Sequence, residues 1–211
     1  MKKDIILIGG GGHCKSCIDV IEAGSEFKVA GIIDKKEKAA QKVLGYDIIA
    51  CDEDLPELVK KYKYYLITIG QIKSAAKRIE KFEFIRGLGG KFPTIISPLA
   101  YVSKSASVGK GTIIMHNAII NTEVCIGENC IINTAAIIEH ESQIMDHCHI
   151  STSAVINGGN SIGEATFVGS KSVTAQGIRI ESNTIIGAGS FVRESLEKSG
   201  TYIGSPAKKV E

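Results

Sequence analysis

The sequence predicts an α/β plus all-β chain, with a small Rossmann-like domain at residues 1–96 followed by a parallel β-helix at residues 97–211. Residues 1–96 alternate apolar runs with stretches of helical periodicity, the order expected of β-α-β units on a parallel sheet. Beyond Val102 the pattern changes: an aliphatic residue recurs at every sixth position, and a small side chain stands two residues before most of them.

In chain order, DIILIG reads as a strand, the glycines after it as a turn, HCKSCIDVIEAG as a helix and FKVAGIID as the next strand. YDIIA and YYLITIG supply two further strands, DEDLPELVKKY and IKSAAKRIEKFEF two further helices, and GLGG with FPTIISP closes the segment. Counting in sixes from Val102 to Val192 meets Ile or Val at fifteen of sixteen positions, Thr174 being the exception. Ile, Leu and Val make up roughly a quarter of the region, so an accidental register of that length is excluded. Alternation within each hexad turns the aliphatic residue and the small one before it to the same side. So short a strand cannot bury itself; it is stable only when equivalent rungs stack at about 4.8 Å and close the backbone ladder between coils. Three hexads per turn make a triangular prism of about eighteen residues per coil and about five coils. Periodicity fixes no hand, and the rule for parallel crossovers would by itself predict a right-handed coil.

Length and composition suit a soluble chain with an ample core: 211 residues, 25 Lys and Arg against 23 Asp and Glu, net charge +2. No basic run is interleaved with aromatics, so a nucleic-acid partner is not expected. The apolar run near the N-terminus is only about five residues long, too short for a signal core or membrane insertion, and a cytoplasmic location is expected. The six cysteines, at 14, 17, 51, 125, 130 and 148, show no framework spacing and are expected to be free thiols.

The segment IIEHESQIMDHCHIS, residues 137–151, holds three of the five histidines. With Ile138 facing inward, His140 and Glu141 fall on an outer edge, while His149, just before Ile150, projects from a flat side. Half a coil separates these two histidines, so a site using both is shared between neighbouring subunits. Gly158, one coil after His140, stacks beside it with no side chain and a backbone N–H to offer. His140 as a general base is one reading, because an imidazole titrates near about 6.5 and a carboxylate neighbour orients it and raises its basicity. Exposed polar corner residues are an equally good reading. Zinc accepts His and Cys ligands, but this spacing defines no ligand set and no metal is expected.

In the glycine turn, Gly10, Gly11, Gly12 and His13 join the first strand to the first helix, where bare N–H groups form an anion site. Asp34 and Lys35 end the next strand. Gly9 and Gly11 begin a dinucleotide fingerprint whose third glycine position falls on Cys14, so nucleotide phosphate in general fits better than NAD, and a purely structural tight turn fits as well. Cys14 and Cys17 have redox spacing but read as helix packing residues.

IGGGGH, GIID, TIG before a basic helix, the hexad run containing IIEHE and HIS, and the tail YIGSPAKKV together resemble the bacterial nucleotide-sugar acetyltransferases of the hexapeptide-repeat superfamily. That group includes UDP-4-amino-sugar N-acetyltransferases and sialic acid O-acetyltransferases. The resemblance implies a left-handed β-helix, a homotrimer with active sites between subunits, acetyl-CoA as co-substrate, and direct acetyl transfer to the amine of a UDP-amino-sugar. It implies His140 as base, Glu141 as its carboxylate and His149 as a second active-site histidine. It also implies acetyl-CoA contacts at Gly158, Ser170, Gly187 and Ala188, with substrate contacts at Gly10, Gly11, Gly12, His13, Asp34 and Lys35. Gln71 and Ile72 depart from the polar residues usual after TIG, which leaves the sugar and its nucleotide open. Gamma-class carbonic anhydrases resemble the same β-helix and bind zinc between chains, and a non-catalytic sugar-nucleotide sensor is the third reading.

Overall fold

The computed structural model describes residues 1–38 and 41–210. The first half folds as β1 (Lys3–Ile8), α1 (Gly12–Ala23), β2 (Phe27–Ile33), β3 (Lys42–Val43), β4 (Tyr46–Ala50), α2 (Leu55–Lys61), β5 (Tyr64–Ile67) and α3 (Ala76–Gly87). The sheet order is β3-β4-β2-β1-β5, parallel except for the β3–β4 hairpin at one edge. A central parallel strand is covered on both faces, which is why DIILIG is a continuous apolar run. Ile5 and Leu7 pack with Cys14, Cys17 and Ile18 of α1, while Ile6 and Ile8 pack with Leu55 of α2 and Phe82 and Ile85 of α3. The chain leaves β1 toward β2 on one side and returns to β5 on the other, so a crevice opens at the carboxyl ends of these strands.

The second half is a left-handed parallel β-helix of two-residue strands. Face one stacks Tyr101–Val102, Ile119–Ile120, Ile137–Ile138, Val155–Ile156, Val173–Thr174 and Phe191–Val192. Face two stacks Ser107–Val108, Cys125–Ile126, Gln143–Ile144, Ser161–Ile162 and Arg179–Ile180. Face three stacks Ile95–Ile96, Ile113–Ile114, Ile131–Ile132, His149–Ile150, Phe167–Val168 and Ile185–Ile186, then continues through Thr201–Ile203 to the antiparallel cap Lys208–Lys209. Every second residue of the hexad strands points inward, and the small residues two places earlier, among them Ala118, Cys130, Ala136, Ser142 and Cys148, are buried with them. The first rung, Ile95–Ile96, lies two residues ahead of position 97 and extends the six-residue rhythm back by one hexad. Corners turn through left-handed residues such as Asn129, Glu141 and His147, with φ between 51° and 62°. This conformation lets an L-residue reverse the chain without breaking the ladder.

The outward residues give each face its own character. On face two they are Ser107, Cys125, Gln143, Ser161 and Arg179; on face one they are Tyr101, Ile119, Ile137, Val155, Val173 and Phe191. On face three, outward Ile95, Ile113 and Ile131 are buried against α1 in one cluster with Cys14, Cys17 and Ile18. The N-terminal domain therefore sits on face three. His116 ties the two halves at this seam, its Nε2 2.8 Å from Asp19 of α1 and its Nδ1 2.6 Å from Ser97.

Replacing Ile132, fully buried among rungs above and below, by alanine is expected to destabilise the fold by roughly 2–5 kcal/mol. Urea unfolding reads this as a lowered midpoint at unchanged slope. The outward Ile119→Ala substitution is expected to shift the midpoint much less.

Candidate active site

His140 and Glu141 occupy the vertex between faces one and two, held by the rungs Ile137–Ile138 and Gln143–Ile144. The His140 Nδ1 lies 2.9 Å from Glu141 Oε2. A carboxylate here only accepts, so Nδ1 carries the proton and Nε2 presents a lone pair. The imidazole is 47% exposed, open to a reactant. Directly above it lies Gly158: a Cβ there would stand 2.5 Å from His140 Cε1 and 2.6 Å from Nε2, so the ring fits only over glycine.

The one break in the six-residue rhythm belongs to this vertex. Thr174, fully buried, accepts on Oγ1 from the Asn157 N–H at 3.0 Å and from Asn160 Nδ2 at 2.5 Å, and its carbonyl accepts from Asn157 Nδ2 at 2.8 Å. A core hydroxyl thus fixes the turn Asn157-Gly158-Gly159-Asn160 over the histidine. Sequence reasoning passed over Thr174, Asn157 and Asn160, although the lone non-aliphatic hexad position was the signal that marked them.

His149 departs from expectation. It was expected to project from a flat side, but that side is face three, which the chain's own N-terminal domain covers. The ring is 7% exposed, with Nδ1 donating to the Gln71 carbonyl at 2.8 Å and Nε2 3.1 Å from Asn133 Nδ2. Phe167 meets it edge-on at 5.1 Å and the His13 ring stands at 6.4 Å. Burial pushes its pKa down to about 3 against the opposing pull of the Gln71 carbonyl. His147 is buried beside Asn129, and burial lowers its pKa too. Among the described residues no group of three or more His, Cys, Asp or Glu could hold a metal ion.

Ser170, Gly187 and Ala188 lie at the vertex between faces three and one, across face one from His140 and Gly158. One chain does not bring the two sets together. Ser170 Oγ is 3.0 Å from Ser151 Oγ, and Gly187 leaves room for Ile203 of the C-terminal strand, which a Cβ would meet at 2.5 Å.

The crevice at the strand ends is a cavity of about 530 Å³, lined by Gly11, Gly12 and His13 at the start of α1, Asp34 and Lys35 after β2, Thr68 after β5, and Lys77 and Lys81 of α3. Nothing would contact a Cβ at Gly11 or Gly12, so these two glycines open directly onto free space. Gly10 plays another part: its N–H donates to Asp34 Oδ2 at 2.8 Å, while Lys38 donates to the same oxygen at 2.7 Å and the Lys35 N–H to Oδ1 at 2.7 Å. Burial alone would raise the Asp34 pKa, but Lys38 and these N–H groups hold it below the ordinary value. Asp34 thus staples the glycine turn to β2. Lys38, Thr68, Lys77 and Lys81 were not picked out from sequence, since lysines on a charged helix carry no local sign of facing a cavity. Gln71 does not line this crevice; it is buried against the prism, so its departure from the usual polar pattern falls outside the cavity. Cys14 and Cys17 are buried packing residues, with Cys17 Sγ 3.4 Å from His13 Nε2.

Residues 4–82 match the PglD N-terminal domain family, and residues 95–211, more than half of the chain, match the GMPPB C-terminal domain family. A perosamine N-acetyltransferase from Caulobacter crescentus, solved as a variant with CoA and GDP-perosamine, is 32% identical and superposes with a TM-score of 0.92, covering 99% of this chain and 97% of that one. The chain belongs to the nucleotide-sugar acetyltransferases of the hexapeptide-repeat superfamily. Within this family, the acetyltransferase domain of PglB from Neisseria gonorrhoeae is 26% identical with a TM-score of 0.89, covering 99% of this chain and 100% of that one. The curated UDP-N-acetylbacillosamine N-acetyltransferase of Bacillus subtilis is 36% identical over 116 residues, which span 54% of this chain and about half, 51%, of that relative's length.

The seating of His140 is directly testable. Gly158→Ala is expected to push the His140 ring aside, read as a shift of its imidazole resonances with the melting temperature nearly unchanged, and, on the reading of His140 as a base proposed below, as a loss of about 10²-fold in kcat. Half-buried His13, with its pKa lowered to about 4 chiefly by desolvation, and buried His149 give stability that is complete above about pH 6.5 and lost as pH falls toward those folded values. At pH 5 each is expected to withdraw about 2 kcal/mol, read as a lower urea midpoint than at pH 7.5, and the drop should shrink in His13→Asn/His149→Asn.

Proposed function

We propose that this protein acetylates the amine of a nucleotide-linked amino sugar, taking the acetyl group directly from acetyl-CoA, with a UDP-amino-sugar as acceptor. The observation that carries the reading is the His140–Glu141 pair seated on side-chain-free Gly158 at an open prism vertex. The family supports it: the B. subtilis relative is named for a UDP-linked substrate, and the C. crescentus structure holds CoA with a GDP-linked amino sugar. A crevice combining a helix N-terminus with Lys35, Lys77 and Lys81 suits the diphosphate of either nucleotide.

In this mechanism the neutral amine nitrogen attacks the thioester carbonyl carbon while His140 Nε2 takes the amine proton. The Glu141 carboxylate stabilises the imidazolium that results. The Gly158 N–H donates to the oxyanion of the tetrahedral intermediate. Collapse breaks the carbon–sulfur bond, and the imidazolium returns its proton to the departing thiolate, leaving an amide and coenzyme A. No covalent bond to the enzyme is needed.

A homotrimer completes the site in this reading. Face one carries an outward row of Tyr101, Ile119, Ile137, Val155, Val173 and Phe191, whereas face two is polar and face three is already covered. Tyr101 remains 58% exposed in the single chain, as a residue awaiting a second copy would be. Packing such faces around an axis sets the His140 vertex of one protomer against the Ser170, Gly187 and Ala188 vertex of the next. No helix of the described residues is long and apolar enough to cross a membrane, and the cysteines are free thiols, which supports action in the reducing cytoplasm.

Coenzyme A release, measured with acetyl-CoA against UDP- and GDP-amino sugars, CMP-sialic acid, free sialic acid and serine, tests the reading. Transfer to a UDP-amino-sugar is expected, with His140→Ala reducing kcat about 10²- to 10⁴-fold in a particle three times 22.5 kDa by light scattering. Near-normal turnover by His140→Ala would falsify the assigned base, and turnover with sialic acid alone would move the chemistry to oxygen.

A further inference from the structure

At the vertex between faces two and three, the left-handed residues Asn129, His147 and Ala165 stack one coil apart. Their carbonyls take no part in the ladder between coils, and on an open vertex water would satisfy them. Here the N-terminal domain covers the vertex and brings its own donors. Arg78 Nη2 donates to the Asn129 carbonyl, Arg78 Nη1 to the His147 carbonyl at 3.2 Å, and Gln71 Nε2 to the Ala165 carbonyl at 2.9 Å. The two donors are themselves joined, Arg78 Nη1 to Gln71 Oε1 at 2.7 Å.

Arg78 is 1% exposed and forms no ion pair with a carboxylate among the described residues. Burying a cation without an anion is costly, and simple packing of the seam would be met better by an apolar side chain. The contacts continue from Gln71 toward the prism. Its main-chain carbonyl accepts from His149 Nδ1 at 2.8 Å, so that nitrogen must carry the proton. Nε2 of His149 then accepts from Asn133 Nδ2 at 3.1 Å, and Asn133 Oδ1 accepts from the Thr134 N–H at 2.8 Å. One proton assignment satisfies the whole chain of contacts. Thr134 stands in the same stack of corners as Ser170 and Ala188, two and three coils along. At the other end, Lys77 and Lys81 flank Arg78 on α3 and line the nucleotide crevice.

We infer that Arg78 and Gln71 are positioning residues for acetyl transfer: by gripping the stacked carbonyls of residues 129, 147 and 165 they lock the nucleotide crevice to the prism and fix His149 as a single Nδ1–H tautomer aimed at the Asn133 corner. The inference rests on the acetyl-transfer reading for its kinetic consequence, and on the grip alone for its structural one.

Full-length protein labelled with ¹⁵N in its histidines gives the imidazole spectrum at pH 7, with His149 assigned by its loss in His149→Asn. A pure Nδ1–H pattern is expected for His149 in the wild type and a mixture of tautomers in Gln71→Ala and Arg78→Met. With acetyl-CoA and a UDP-4-amino-sugar, both variants are expected to lose about tenfold in kcat and to raise KM for the sugar nucleotide while KM for acetyl-CoA stays within twofold. Arg78→Lys keeps the charge but cannot span two carbonyls, and is expected to behave like Arg78→Met. Wild-type kinetics and tautomer in Arg78→Lys or Gln71→Ala, or lowered stability with kcat and spectrum unchanged, would overturn the inference. Should Arg78→Met fail to fold, Gln71→Ala decides by the same two readouts. Absence of transfer by the wild type would retire the activity, while the spectrum still judges the grip.

Discussion

Everything in this molecule depends on residues eighteen apart lying in contact. Aliphatic rungs stack because no two-residue strand can satisfy its backbone or bury its side chain alone, and stacking aligns every other position of the hexad as well. That alignment puts Gly158 over His140 and lines up the carbonyls of residues 129, 147 and 165. A repetitive core thereby becomes a ruler against which single departures from repetition, such as Thr174, acquire a definite place beside His140.

The three faces of the prism divide the labour. Face two is polar and needs no partner, while face three buries its aliphatic outer row under α1. Covering face three also buries a vertex rich in outward carbonyls, and those carbonyls find donors because Arg78 and Gln71 reach across the seam. The same covering buries His147 and His149 and lowers the pKa of both, and partial burial lowers that of His13 at the edge of the crevice as well, so the domain seam is expected to be the acid-sensitive part of the protein. Face one keeps an apolar row, and it lies between the vertex of His140 and the vertex of Ser170, Gly187 and Ala188.

Much of this was legible before any coordinates. The Ile and Val rhythm, broken only at Thr174, carried the prism, and the glycine turn before HCKSCIDVIEAG carried the first crossover. His140, Glu141 and Gly158 were legible for a narrower reason: hexad arithmetic assigns each residue to a face or vertex and names the residue one coil above it. His149 was placed on the correct face by the same arithmetic, but arithmetic within the prism knows nothing of the domain that lands on that face. Lys77, Lys81 and Arg78 were out of reach because three basic residues on one helix look alike in sequence, although two line a cavity and the third is buried.

The sequence by itself determined the parallel rungs, the order of the two architectures and the vertex holding the histidine–carboxylate pair, because each follows from short-range periodicity repeated many times. Tertiary structure decided which face the N-terminal domain covers, and hence which histidines are buried and neutral and which one is left exposed. It also decided that Gln71 turns to the prism and Asp34 to the glycine turn. Those outcomes rest on contacts between segments dozens of residues apart, where the preference of any one residue is weak and the matching of two surfaces makes the choice.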